Sequence, residues 1–312
     1  MHRKTPILVT GSHRSGTTWV AKMISASPSV RYVPEQFNLN RSQCLCGHQF
    51  NQWFQYISSE NEENETQCYN HLKHALGLSY NFIPEFRLVK NYSDAFKLLT
   101  KASKFILKRL LNIRPLLKDP VAFFSAEWLA NEFDMDVIVL IRHPAAFASS
   151  LKRLNWTFNF SHFVEQPLLM RDLLEPFANE IKEYSLKDYD IIDQAILVWN
   201  IFHYVILQYK KRHDRWIFLR HEDISQNPLE WYKYLYNRLE LNFTSEISQT
   251  IKEYSYSNLN LPEFKNQEIH CLKRNSPSNI YRWKNNLNSN EITRIRKGVE
   301  KISTYFYSDT DW

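Results

Sequence analysis

The sequence predicts an α/β fold: a doubly wound, mostly parallel sheet flanked by helices, with a P-loop-like phosphate loop after the first strand. Three observations carry that prediction. PILVTG (6–11) is short, β-branched and closed by a glycine, the pattern of a buried strand. TTWVAKMISAS (17–27) then reads as a helix, and VRYV (30–33) as a second strand ended by Pro34. DVIVLIR (136–142) is the clearest buried strand in the chain. Strand, glycine loop, helix and strand are how such a sheet begins.

The other elements follow in order. The first helix stops where Ser27 meets Pro28, because the residue before a proline avoids helical geometry. Residues 41–117 read as an insertion beside the mouth of the site. They hold an exposed acidic loop, SSENEENETQ (58–67), and a basic helical stretch, DAFKLLTKASKFILKRLLN (94–112). The sheet resumes at KDPVAFFSAEWLANEF (118–133), a short element followed by a helix. PAAFASSLKRLN (144–155) opens a helix with proline in its first turn, where the missing N–H costs nothing. Residues 190–212 form a long amphipathic helix, WIFLRHEDI (216–224) a strand, and 228–241 and 289–306 two further helices. The expectation is a single domain over residues 1–312.

Composition narrows the function. With 44% hydrophobic and 23% charged residues, the chain belongs among globular proteins and not disordered ones. A net charge of +6 suits an anionic ligand. It does not point to nucleic acid, because the charge is dispersed and the densest run, KKRHDR (210–215), reads as a solvated helix end. Four cysteines in 312 residues make no disulfide framework. The start lacks the apolar length of a signal peptide, and no run of apolar residues is long enough for a membrane span. The expected location is cytoplasmic; the oligomeric state is open.

The segment Gly11-Ser12-His13-Arg14-Ser15-Gly16-Thr17-Thr18 has the spacing of a nucleotide phosphate loop, with Thr17 where the lysine belongs. Without that lysine, the charge that balances a triphosphate is missing. Backbone amides and the helix dipole still favour an anion, and positive charge has moved upstream to Arg14. Thr17 and Thr18 add two hydroxyls in the first helical turn.

HRSGTTW resembles the phosphosulfate loop of the sulfotransferase family, commonly a proline, a basic residue and then S-G-T-T-W. His13 stands where the family has the proline. The resemblance implies 3′-phosphoadenosine 5′-phosphosulfate as donor, with adenosine 3′,5′-bisphosphate as product and no metal requirement. It implies that Arg14, Ser15, Gly16, Thr17 and Thr18 hold the donor and that Trp19 stacks on adenine; a core tryptophan is the other reading of Trp19. VIVLIRHPAAFASSLKRLNW (137–156) resembles the family's 3′-phosphate site, a strand ending in arginine and a serine eight residues on, here Arg142 and Ser150. RNSPSNIYRWKNNL (274–287) resembles the C-terminal segment, with Arg274 as the contact to the same phosphate and Trp283 either part of that element or a packing residue.

Sulfuryl transfer to a hydroxyl needs a base, positive charge on the leaving phosphate and in-line placement. Glu35 follows the second strand, at the sheet edge where ligands of open α/β sheets bind. Alone it reads as a turn glutamate after proline. YVPEQFN resembles the segment of carbohydrate and tyrosylprotein sulfotransferases whose glutamate is the general base, and implies a glycan or glycolipid acceptor. LLKDP (116–120) resembles the K-D-P element of the tyrosylprotein enzymes, with Lys118 on the sulfuryl group; an Asp-Pro turn with a solvated lysine is the plain alternative. His71 and His74 are the reserve candidates for the base. CLCGH (44–48) and CYNHLKH (68–74) carry zinc-type ligands, but C-x-C spacing across an acidic stretch does not suit a zinc knuckle, and no metal is expected. The rival functions are a P-loop nucleotide kinase and a nucleotide-binding protein of this fold without turnover.

Overall fold

The computed structural model describes residues 5–40, 50–60, 62–78, 113–256 and 276–312, with isolated positions between 78 and 113. Five strands form one parallel sheet: β1 (Ile7–Gly11), β2 (Val30–Val33), β3 (Arg114–Lys118), β4 (Asp136–Ile141) and β5 (Ile217–Arg220), in the order β2-β3-β1-β4-β5. Ile7 pairs with Leu116 on one side and Asp136 on the other, which sets the register of the centre. Alternate residues serve opposite faces: Leu8, Leu117 and Val139 enter one core, and Val9, Leu116 and Leu140 the other.

Helices cover both faces. On the first lie α2 (Glu62–Ala75), α3 (Ala126–Phe133), α4 (Pro144–Leu154), α5 (Ala178–Leu186), α6 (Ile191–Arg212) and α9 (Ser289–Ser303). On the second lie α1 (Thr17–Ile24), α7 (Pro228–Arg238) and α8 (Ser245–Ser255). Of the described helices, α6 is long and apolar enough to cross a membrane, but Val198, Trp199, Phe202, Val205 and Ile206 are buried in the core.

Three expectations need correcting. The insertion does not reach residue 117, because residues 114–118 are the fully buried strand β3. Pro115 is unusual in an interior strand. Its missing N–H is harmless because pairing with β1 begins only at Leu116. The acidic stretch 58–67 is not wholly loop, since α2 begins at Glu62. Cys68, Leu72 and Leu76, four residues apart, are buried and hold that helix to the core. The last strand ends at Arg220, and His221–Gln226 is a helical turn. The basic stretch 94–112 lies almost wholly outside the described residues, as do Cys44, Cys46, His48, Cys271 and Arg274.

Candidate active site

α1 leaves β1 on one face and α4 leaves β4 on the other, so the strand ends between them open a crevice, the usual ligand position in such a sheet. The phosphate loop fills its floor. Gly11 sits at φ 135°, and a Cβ there would lie 2.4 Å from the Leu140 carbonyl oxygen, so no other residue fits. Gly16 caps α1 at φ 91°, with the His221 ring where a Cβ would go. Between them Arg14 takes a left-handed φ of 64°, a strained conformation for a non-glycine residue. The turn is closed by Ser15, whose N–H and hydroxyl both donate to the Ser12 carbonyl at 3.2 and 2.6 Å. The first N–H groups of a helix have no partner inside it, and α1 begins at Thr17, directly after this loop.

The strain at Arg14 is held from both ends. Its Nε donates to Ser150 Oγ at 3.1 Å, and Arg142 Nη1 donates to its carbonyl at 3.1 Å. Three residues picked from two distant motifs therefore meet. Arg142 is not an open fork, however. Its Nε lies 3.6 Å from the carboxylate of buried Glu222, which also accepts from the His143 N–H at 3.1 Å and the Tyr307 hydroxyl at 2.9 Å. Burial pushes the Glu222 carboxyl up and the Arg142 guanidinium down, while each restrains the other's shift. Glu222 was not visible as a site residue in the sequence.

His143 seals this network from below. Its ring stacks on Trp283 at 5.1 Å and meets Trp312 edge-on at 4.6 Å, and neither ring nitrogen has a hydrogen-bond partner among the described residues. Trp283 is thus a packing residue. Burial, partly offset by Asp311, lowers the His143 pKa to about 3. A histidine with a depressed folded pKa contributes stability above its unfolded value of about 6.5, and loses it as pH falls toward 3. His143→Phe is therefore expected to gain about 2 kcal/mol on wild type between pH 7 and pH 5. Urea unfolding at the two pH values measures this, and parallel pH dependences for both proteins would refute it.

On the other side of the loop, Glu35 follows β2 and Lys118 ends β3, and the two form an ion pair. Asn38 Nδ2 donates to the second Glu35 oxygen at 2.7 Å. Asp119 sets this geometry. One of its oxygens accepts from the N–H groups of Gln36 and Phe37 at 2.6 and 2.9 Å, and the other from Val121 and Ala122 at 3.0 and 3.2 Å. Burial and the nearby Glu35 raise its pKa to about 6, against the pull of the Phe37 and Gln36 N–H groups. Asp119 thus ties the turn carrying Glu35 to the turn carrying Lys118.

Trp19 is 2% exposed and packs edge-on to Tyr232 and His221, so its side chain belongs to the core and offers no open face to a base. Thr17 is buried and Thr18 half-buried at the start of α1. His71 is buried beside Phe50. Among the described residues no three potential ligands cluster as a metal site.

Beyond Glu35 lies a cavity of about 520 Å³ that the sequence did not reveal. His13, Trp53, Phe54, Trp156 and Phe158 line it together with Glu35. Of the phosphate loop, His13 faces this cavity.

The sequence matches the sulfotransferase family over residues 6–245. No curated protein matches it. Among solved structures, a sulfotransferase domain from the curacin biosynthetic pathway is 17% identical, covering 96% of this chain and 99% of that one, with a TM-score of 0.49. A mouse sulfotransferase complexed with PAP is 12% identical over 99% and 88% of the two chains, with a TM-score of 0.47. A sulfotransferase from Mycobacterium avium is 13% identical over 98% and 78%, with a TM-score of 0.45. The family match runs from β1 past β5 and takes in the phosphate loop, Glu35, Lys118, Arg142 and Ser150, and the chain accordingly belongs to the sulfotransferase family.

Proposed function

We propose that the chain transfers a sulfuryl group from 3′-phosphoadenosine 5′-phosphosulfate to a hydroxyl acceptor, with Glu35 as general base. The observation that carries this reading is the Glu35–Lys118 pair, held by Asp119 at the strand ends beside a lysine-free phosphate loop. A buried polar atom by the loop, Ser12 Oγ, lacks a hydrogen-bond partner among the described residues, as suits an anion site. The donor supplies an activated sulfuryl group: the acceptor oxygen forms the new S–O bond as the bond to the 5′-phosphate breaks, and adenosine 3′,5′-bisphosphate leaves. Glu35 takes the acceptor proton. Lys118 and Arg14 offset charge on the transferring group and the departing phosphate. The amides of α1 orient the 5′-phosphate, and Arg142, Ser150 and Arg274 bind the 3′-phosphate.

Thr17 in place of the lysine argues against a nucleotide kinase. Calorimetry with adenosine 3′,5′-bisphosphate in chelator is expected to show tight binding that added Mg²⁺ does not change, and ATP with Mg²⁺ is expected to bind weakly. Binding that requires the divalent ion would favour the kinase. Analogy through YVPEQFN suggests a glycan or glycolipid acceptor.

A further inference from the structure

We infer that Tyr307 is a positioning residue for the donor: acting through Glu222, its hydroxyl sets the direction of Arg142, and with it the preference for a nucleotide that carries a 3′-phosphate. This rests on Arg142 holding that phosphate, as proposed above, and adds a residue that lies outside every motif of the sequence.

A guanidinium meets a phosphate as a fork only when its plane is fixed. Three contacts fix this one. Trp199 Nε1 donates to the Arg142 carbonyl at 2.8 Å and holds the backbone. Arg142 Nη1 donates to the Arg14 carbonyl at 3.1 Å. Its Nε faces Glu222 Oε1 at 3.6 Å. Among the described residues Nη2 has no hydrogen-bond partner, so it is the end of the fork left for a ligand. At 3.6 Å the contact of Nε is one of charge and not a hydrogen bond, so its direction depends on where the carboxylate sits.

Two donors seat that carboxylate, which is 6% exposed. The His143 N–H takes Oε1 at 3.1 Å, and the Tyr307 hydroxyl takes Oε2 at 2.9 Å. The first donor is the residue next to Arg142. The second comes from 85 positions along the chain and gives an independent fixed point. Tyr307 is itself held. Its ring is buried, with the Arg220 guanidinium 5.1 Å from its centroid and the His143 ring edge-on at 4.9 Å. Arg220 also donates to the Phe306 carbonyl at 3.0 Å and pairs with Asp223 at 2.6 Å. Packing on two sides thus aims the hydroxyl at Oε2. Burial already raises the Glu222 pKa against the pull of Arg142, the His143 N–H and the Tyr307 hydroxyl. Removing the hydroxyl takes away one of those pulls and favours the neutral acid, which draws Arg142 less.

Calorimetry on the full chain with adenosine 3′,5′-bisphosphate and 5′-AMP tests this. The probes share the adenosine and the 5′-phosphate, so a general loosening of the site would weaken both. Tyr307→Phe removes one oxygen and keeps the ring. It is expected to weaken the bisphosphate about threefold to tenfold and to leave 5′-AMP within about twofold. Glu222→Gln is expected to give a selective loss at least as large. In the Arg142→Ala, Glu222→Gln background, adding Tyr307→Phe is expected to change the ratio of the two affinities by less than about twofold, because the residue it acts through is gone. Equal weakening of both nucleotides by Tyr307→Phe, or no weakening of either, would overturn the inference. So would a selective loss in the combined background as large as in the wild type. The Arg142→Ala, Glu222→Gln protein separates the two levels. If it loses the preference for the bisphosphate while Tyr307→Phe keeps it, Arg142 stands as the phosphate contact and the role of Tyr307 falls. If it keeps the wild-type preference, the assignment of Arg142 falls, and the role of Tyr307 with it.

Discussion

Glu35→Gln is expected to lower turnover by about 10²–10⁴ while leaving donor affinity nearly unchanged. Glutamine preserves the length of the side chain and one oxygen, which can accept from Lys118 or from Asn38, the two groups that hold Glu35 in place, though not from both. It cannot accept a proton. Arg14→Ala should behave differently. On the proposed reading that side chain contacts the donor, and it also anchors the loop to Ser150, so affinity and rate should fall together. Steady-state kinetics with a true acceptor, read beside calorimetry of adenosine 3′,5′-bisphosphate, separates the two patterns. Wild-type turnover in Glu35→Gln would place the base elsewhere. His71 and His74 would not inherit the role, because neither lines the cavity; His162 does, and would be tested next.

Arg142→Ala is expected to cost about 3–5 kcal/mol of stability, the usual cost of leaving one member of a buried ion pair alone. Glu222 would remain in a buried site with only the His143 N–H and the Tyr307 hydroxyl. The same variant should weaken adenosine 3′,5′-bisphosphate by about 1.5–3 kcal/mol more than 5′-AMP, through loss of a charge-assisted contact to the 3′-phosphate. The double variant Arg142→Ala, Glu222→Gln separates the two effects: stability should largely return, and the selectivity should not. Urea unfolding reads the first effect and calorimetry the second. Equal losses for both nucleotides would show that Arg142 does not read that phosphate, and an unchanged urea midpoint would show that the pair with Glu222 carries no stability.

Local pattern was enough for much of this architecture. β1 and β4 are continuous buried runs, and α4 and α6 announce themselves by a first-turn proline and by amphipathic period; all four lie within a residue or two of where the sequence puts them. The placement of Arg14, Arg142, Ser150, Glu35 and Lys118 near the strand ends also follows from the strand assignments. β3 is not legible from local pattern because Pro115 is acceptable only where pairing with β1 has not yet begun, a fact of register and not of sequence. Trp19 had two readings because an aromatic after a glycine loop can face either ligand or core, and Tyr232 across the second core decides it. The aromatic cavity and Glu222 were illegible for a common reason. Their partners come from segments far apart in the chain, and no spacing within one segment encodes them.

The Asp119 tie also bears on how freely the stretch between Phe37 and Asp119 can vary in length. That carboxylate closes a loop spanning 82 residues. The entropy of closing a flexible loop grows only with the logarithm of its length, so doubling it would cost roughly 0.6 kcal/mol. Two charged bonds to backbone amides outweigh that sum. Segments of very different size could therefore be exchanged between β2 and β3 with the base and the lysine held in register. Acceptor preference can then diverge through the length and make-up of this segment while the chemistry stays put.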